Sequence, residues 1–311
     1  MNILKIISLY ISHKRSLGHR YQNEEAILKA FCKKAGNGSI IAVEAETVLS
    51  FLSGSGGPLT ETGLKKYRAL SGFYRFAMAR GYAIESPLPK NPPKAISTFV
   101  PYIYSHEELK RLLNVVPAAC GGRSPVDEDV FRIFFLLLYG TGLRMGEALA
   151  LTLTDVDLRQ ALLHIRKTKF FKSRLIPLGK DLTKVLSEYV SNIRHGGAMV
   201  KTPLFCFHDG SPLSQSAARS VFRRMRSHAG IHCDGGPRHQ PRLHDLRHSF
   251  AVHRLISWYR SGEDLQILLP KLATSLGHVD LSSTQRYLTL TPELLQQASL
   301  RFEHYARGGL S

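Results

Sequence analysis

The sequence predicts a mainly α-helical protein in two parts. An all-α N-terminal domain precedes an α+β C-terminal domain with a small antiparallel β-sheet. Three observations predict this. The stretch ESPLPKNPPKAISTFVP, 85–101, holds five prolines. Proline removes backbone donors and disfavours helix in the residue before it, so this stretch reads as an extended linker. Before it, apolar residues recur at helical spacing only; after it, one region, 153–178, reads as short strands among helices. The expected division is residues 1–85, a linker over 86–101, and residues 102–311. A chain of 311 residues is long enough for a core in each part.

In the N-terminal part, Asn23 precedes a helix from Glu24 to about Ala35, and a second helix runs from about Ala42 to Leu52. The GSGGP stretch then breaks the chain, and Thr60 is placed to cap a long helix reaching Arg80. On that helix Leu64, Tyr67, Leu70, Tyr74 and Ala77 follow core spacing. Lys65, Arg68 and Arg75 share another face, with Gly72 between them. A basic stripe with a glycine gap suits close approach to a phosphate backbone, though an ordinary solvated face has the same pattern.

In the C-terminal part, Ser105-His-Glu-Glu108 is a capping box that opens an amphipathic helix. The helix after Pro125, with Phe131, Phe134, Phe135 and Leu137, is apolar almost all round and should be a buried central element. ALLHI, 161–165, and RLIPL, 174–178, read as a hairpin with a basic tip, RKTKFFKS. Ser214 can cap a helix to about Ala229, on which Val221, Phe222 and Met225 pack inward and Arg219, Arg223 and Arg226 form a second basic face. After residue 290, Thr291 and Pro292 suit a helix start, and Leu294, Leu295, Ala298 and Phe302 mark an apolar face.

Charge narrows the function. Lys and Arg number 42 against 24 Asp and Glu, a net +18, and both parts are positive. Such an excess favours a polyanionic partner, nucleic acid or an anionic membrane surface. No segment approaches the roughly 20 apolar residues of a membrane span. The longest clean run is IFFLLLY, 133–139. The N-terminal MNILKIISLYISHKR makes a poor secretion signal, because its basic residues follow the apolar stretch. Cys32, Cys120, Cys206 and Cys233 are scattered and read as reduced thiols in a cytoplasmic protein. The crowd of His228, His232, Cys233, His239, His244 and His248 matches no zinc-finger spacing, so no metal or other cofactor is expected.

Four stretches carry the chemistry: TGLRMGEAL (141–149), RKTKFFKSRLIPL (166–178), RLHDLRHSFA (242–251) and LGHVDLSSTQRYL (276–288). Singly, each has a plain structural explanation, such as Arg144 pairing with Glu147 one turn on. Together they supply two arginines to clamp phosphate oxygens, a histidine to accept a phenolic proton, lysines to donate one, and a tyrosine to attack phosphorus.

In this order the boxes resemble the tyrosine recombinase (phage integrase) family over most of 102–290. The resemblance implies a 3′-phosphotyrosyl intermediate with Tyr287 as nucleophile and Arg144 and Arg247 neutralising the transition state. It implies His244 as general base, His278 as hydrogen-bond donor to the phosphate, and Glu147 as support for Arg144. Lys169, favoured over Lys167 and Lys172 by its distance to Arg174 and Pro177, would protonate the leaving oxygen. Implied partners are double-stranded DNA with specific sites, a homo-tetrameric synapse and accessory or partner recombinases, in the service of a mobile element. The alternatives are relaxation of the type IB topoisomerase kind and a non-catalytic DNA-binding regulator. One departure is visible: the segment between Arg247 and His278 is longer by roughly eight residues than in compact members, around WYRSGEDLQILLP. There Gly262 breaks the pattern and Pro270 is expected to start the next turn.

Overall fold

The computed structural model describes residues 2–54, 60–91, 100–122, 124–166, 173–195, 202–234, 236, 239–278, 280, 282–285, 287, 288 and 299. The chain forms two compact units, Met1–Phe99 and Val100–Ser311.

The first unit packs α1 (Ile3–Ser16), α2 (Gln22–Ala35), α3 (Ala45–Ser53) and α4 (Glu61–Ala79). Helix α1 is not among the expected elements, since its stretch suggests only a poor secretion signal. Its Ile3, Ile6, Ile7, Tyr10 and Ile11 recur at helical spacing and are buried, and Asn2 caps it by accepting from Lys5 N at 3.0 Å. Helix α2 starts at Gln22, so Asn23 lies inside it. The position before it is Tyr21, in a left-handed conformation (φ 50°). Helix α3 starts later than expected, because Ile40–Ala42 form a separate 3₁₀ turn. Thr60 caps α4 as expected, accepting from Gly63 N.

Gly72 has a different use from the one its sequence context suggests. A Cβ there would stand 2.5 Å from Tyr10 Oη and 3.9 Å from Tyr21 Oη, two hydroxyls hydrogen-bonded to each other at 2.8 Å. The gap is filled by tyrosine and serves helix packing. Lys65, Arg68 and Arg75 are all exposed on α4.

The second unit holds α5 (His106–Asn114), α6 (Val116–Cys120), α7 (Glu128–Thr141), α8 (Met145–Leu149), α9 (Lys180–His195), α10 (Gln215–His228), α11 (Asp245–Arg260), α12 (Leu265–Leu276) and α13 (Ser282–Gln285). Three antiparallel strands, β1 (Val156–Asp157), β2 (Leu162–Ile165) and β3 (Arg174–Pro177), lie in the order β1-β2-β3. Leu163 of β2 faces Ile176 of β3 in register, and both are buried. Ala161 turns with φ 52°, so β2 begins one residue later than expected. The capping box at Ser105 is present, Ser214 caps α10, and α7 is the buried central helix with Phe131, Phe134, Phe135 and Leu137 inaccessible.

A second cluster in this unit joins Ala251, Val252, Leu255 and Ile256 of α11 to Leu269, Leu272 and Leu276 of α12, with Tyr287 among them. In the extended segment, α11 runs on to Arg260 and Gly262 breaks the chain at φ 76°. Pro270 does not open α12. Asp264 caps that helix from Gln266 N at 2.8 Å, and Pro270 sits inside it. Proline there leaves the carbonyl four residues earlier without its helical donor.

The packing of Gly72 predicts that Gly72→Ala destabilises the full chain by about 1–3 kcal/mol, the usual range for overpacking. Gly38→Ala, where a Cβ meets nothing within 4 Å, should stay within about 0.5 kcal/mol of wild type. Urea unfolding of both variants measures the difference.

Candidate active site

The site is assembled on the C-terminal end of α12. The last turn of any helix leaves carbonyls without intrahelical donors and carries partial negative charge. Here three consecutive carbonyls each take a different arginine. Ser275 O accepts from Arg174 Nε at 2.8 Å, Leu276 O from Arg247 Nη2 at 2.7 Å, and Gly277 O from Arg144 Nη2 at 3.0 Å. Gly277 ends the helix with φ 67°, and a Cβ on it would lie 2.9 Å from Arg174 Nη1 and 3.3 Å from Arg144 Nη1. The glycine of the Gly-His pair is thus demanded by both conformation and crowding.

Glu147 ties two of these arginines together. It stands in the first turn of α8, where its Oε2 accepts Arg144 N at 3.1 Å and its Oε1 accepts Arg144 Nη1 at 3.0 Å. Arg174 grips the same carboxylate with both terminal nitrogens, at 3.1 and 2.8 Å, in the fork geometry that suits guanidinium and carboxylate. Burial alone would raise the pKa of Glu147, but Arg174 first and Arg144 second hold it below the ordinary carboxylate value. Arg174 was legible in the sequence only as a spacing mark for the lysine. Its distance from Glu147, 27 residues along the chain, hid the pair.

Arg247 is 3% exposed and gives its other terminal nitrogen to Gly142 O at 2.8 Å, behind α7. Burial, then the Arg144 charge, lowers its pKa to about 10, which leaves it charged at neutral pH. His244 precedes α11 on the exposed side, its pKa lowered by the surrounding protein and by Arg247. The ring of His248, one turn on, lies edge to face with it at 5.1 Å.

Tyr287 is 4% exposed. Sequence reading pairs it with His244; in the structure, His248 Nδ1 lies 3.0 Å from its hydroxyl. His278 stacks on the Tyr287 ring at 6.2 Å between centroids, and its Nδ1 meets Thr284 Oγ1 at 2.7 Å. Burial first, then neighbouring charges, pushes His278 down to about 4 and His248 to about 3, so both rings are neutral at neutral pH. A Thr284 hydroxyl that donates to Nδ1 leaves Nε2–H of His278 as a donor, a tautomer that this pairing allows. Thr284, fully buried, escaped the sequence reading because nothing in the run Ser-Ser-Thr-Gln marks one hydroxyl above another.

Arg144, Arg247, His244, His278, Glu147 and Tyr287 therefore share one region, joined by Arg174, His248 and Thr284. Lys169, like Lys167 and Lys172, lies outside the described residues, as do Thr291 and Pro292 of the expected C-terminal helix. Arg219, Arg223 and Arg226 line a cavity of about 690 Å³ shared with Arg242, Met145 and His244. Arg219 and Arg223 are exposed, and Arg226 also donates to Pro241 O at 2.9 Å. Among the described residues no helix is long and apolar enough to cross a membrane.

Known proteins carry related chains. The profile of the phage integrase family matches residues 104–293. A Sinorhizobium fredii chain assigned as the integrase/recombinase y4rB is 38% identical over 239 residues, 74% of this chain and 76% of that one. The tyrosine recombinase XerC of Halalkalibacterium halodurans is 30% identical over 75% of this chain and 72% of its own. In fold, the chain is similar to the Tn1549 transposon integrase solved with transposon right-end DNA, with a TM-score of 0.72, 16% identity, and coverage of 98% and 100%.

Two stability predictions follow from the buried charges. Glu147→Gln removes the partner of a nearly buried Arg174 and should cost about 3 kcal/mol at neutral pH. Because the folded pKa of Glu147 is depressed, its contribution is present above 4.5 and is lost as pH falls through the folded value, so the gap between variant and wild type closes there. The histidines act at higher pH. An unfolded histidine binds a proton below about 6.5, whereas folded His278 does so only at about 4 and His248 at about 3. Stability should therefore fall as pH drops from 6.5 towards 4, and urea unfolding across that interval checks it; a flat profile would contradict the assignment.

Proposed function

The chain belongs to the phage integrase family, and from that premise we propose how its site breaks and rejoins DNA strands. It is a site-specific DNA recombinase of the tyrosine type. The observation that carries the mechanism is the placement of Tyr287 beside a cluster of three arginines fixed to one helix end.

Tyr287 Oη attacks the scissile phosphorus. The Oη–P bond forms, the bond from phosphorus to the 5′ oxygen breaks, the phenolic proton passes to His244, and a lysine of the hairpin tip, Lys169, protonates the departing oxygen. Arg144 and Arg247 neutralise the charge that builds on the non-bridging oxygens, with Glu147 and Arg174 holding Arg144 in place. Neutral His278 donates Nε2–H to the same phosphate. A 5′ hydroxyl from another strand reverses the step. Ester replaces ester throughout, so the chemistry needs neither a metal nor a nucleotide.

The division into a helical DNA-binding domain (1–85), a linker (86–101) and a catalytic domain (102–311) belongs to this proposal. So do backbone contacts by Lys65, Arg68 and Arg75 in the first and by Arg219, Arg223 and Arg226 beside His244 in the second. Exchange between two duplexes breaks four strands, and each protomer has one nucleophile, which supports a homo-tetramer on paired sites. The likeness to a transposon integrase supports service to a mobile element, and a cytoplasmic setting belongs to the same reading.

The test is covalent trapping on nicked duplexes drawn from DNA flanking the gene. Wild type should give a protein–DNA adduct on denaturing gels, and Tyr287→Phe none. Arg144→Ala should slow adduct formation by on the order of 10²–10³. Tight binding without adduct would favour the regulator. Relaxation of any plasmid without joining of specific sites would favour a topoisomerase.

A further inference from the structure

We propose that His248 is a positioning residue that holds the Tyr287 hydroxyl for attack, separately from His244. The inference rests on the reading of Tyr287 as nucleophile and concerns how that nucleophile is aimed.

The geometry comes first. His248 Nδ1 lies 3.0 Å from Tyr287 Oη, with the two rings tilted by 55° and their centroids 5.6 Å apart. The phenol is buried among aliphatic side chains of α11 and α12, including Val252, Leu255, Leu272 and Leu276. A hydrogen bond to a polar tip in such surroundings holds strongly, because water competes little for it.

Position on the helix comes second. Arg247 and His248 are adjacent on α11, so their side chains leave the helix about 100° apart. Arg247 reaches the end of α12 while His248 reaches Tyr287. One helical turn thereby sets both the phosphate clamp and the attacking oxygen, and their separation is fixed by covalent adjacency. His244, four residues earlier, shares the helix face but opens to the exposed side, where DNA would lie.

The charge state agrees. His248 is lowered to about 3 by burial first and by the His244 charge second, so at neutral pH the ring is neutral and one of its two nitrogens is a bare acceptor. In the tautomer that leaves Nδ1 bare, the tyrosine is the donor. An oxygen that commits its only proton to Nδ1 turns its lone pairs away from the imidazole. So weak a base does not take the proton from a phenol; His248 places the hydroxyl oxygen, and the O–H turns to His244 when its proton is removed.

The test has two arms, both on the full chain. In ¹⁵N-histidine NMR without DNA, the Nδ1 resonance of His248, assigned by its loss in His248→Asn, should shift in Tyr287→Phe; an unmoved resonance overturns the proposal. On the nicked duplexes, His248→Phe should slow adduct formation by on the order of 10²-fold, the cost of a misplaced reacting group. His248→Asn, whose amide oxygen can stand where Nδ1 stood, should recover most of the rate and keep the wild-type pH profile. Equal rates in His248→Asn and His248→Phe, or a His248→Phe rate equal to wild type, would overturn it. No adduct from wild type itself, with the NMR shift present, would instead strike at the nucleophile reading and take the role of His248 with it. His248→Asn keeps the comparison open should His248→Phe fail to fold.

Discussion

Three arginines from three separate elements end on three successive carbonyls at the end of α12, and the catalytic unit is organised around that meeting. Arg144 comes from the start of α8, Arg174 from β3 and Arg247 from α11. Each satisfies an acceptor that the helix itself cannot satisfy, and each is drawn to the negative end of the same helix dipole. Because Glu147 joins Arg144 to Arg174, the sheet, α8 and α12 are tied through a single carboxylate. Like-charged side chains at this density repel. They are held by directional hydrogen bonds to carbonyls and by one buried anion, so the guanidiniums have partners before any phosphate lies between them.

Local pattern made much of this legible. The capping box at Ser105, the caps at Thr60 and Ser214, the apolar α7 and the hairpin all rest on neighbours within a few residues, and the structure has each of them. The ordered boxes also drew attention to the right stretches, since Arg144, His244, Arg247, His278 and Tyr287 do lie in one region. Contacts between distant segments were not legible. The Glu147–Arg174 pair, the arginine grip on α12 and the pairing of His248 with Tyr287 span 27 to 133 residues, and no local periodicity encodes them. Two further differences have causes of their own. Gly72 looked like room for a phosphate because the sequence did not reveal Tyr10 across the helix pair, and α1 was missed because its isoleucines were weighed only as a secretion signal. Pro270 is expected to start the next turn, whereas the Asp264 cap and the packing of Leu269, Leu272 and Leu276 carry a helix through it.

The neutral histidines change how the arginine cluster should be counted. With His248 and His278 uncharged at neutral pH, the net charge of the region comes from three guanidiniums against one carboxylate, an excess of two positive charges. A phosphodiester in its ground state carries one negative charge. The five-coordinate species formed as a deprotonated phenol adds to it carries two. The proton that the phenol loses stays beside the cluster on His244, so the sum of charges does not change along the reaction; what changes is that a second negative charge comes to lie on phosphate oxygens that the guanidiniums face. The site binds the intact backbone with positive charge left over, and that remainder meets its largest counter-charge where the rate is decided.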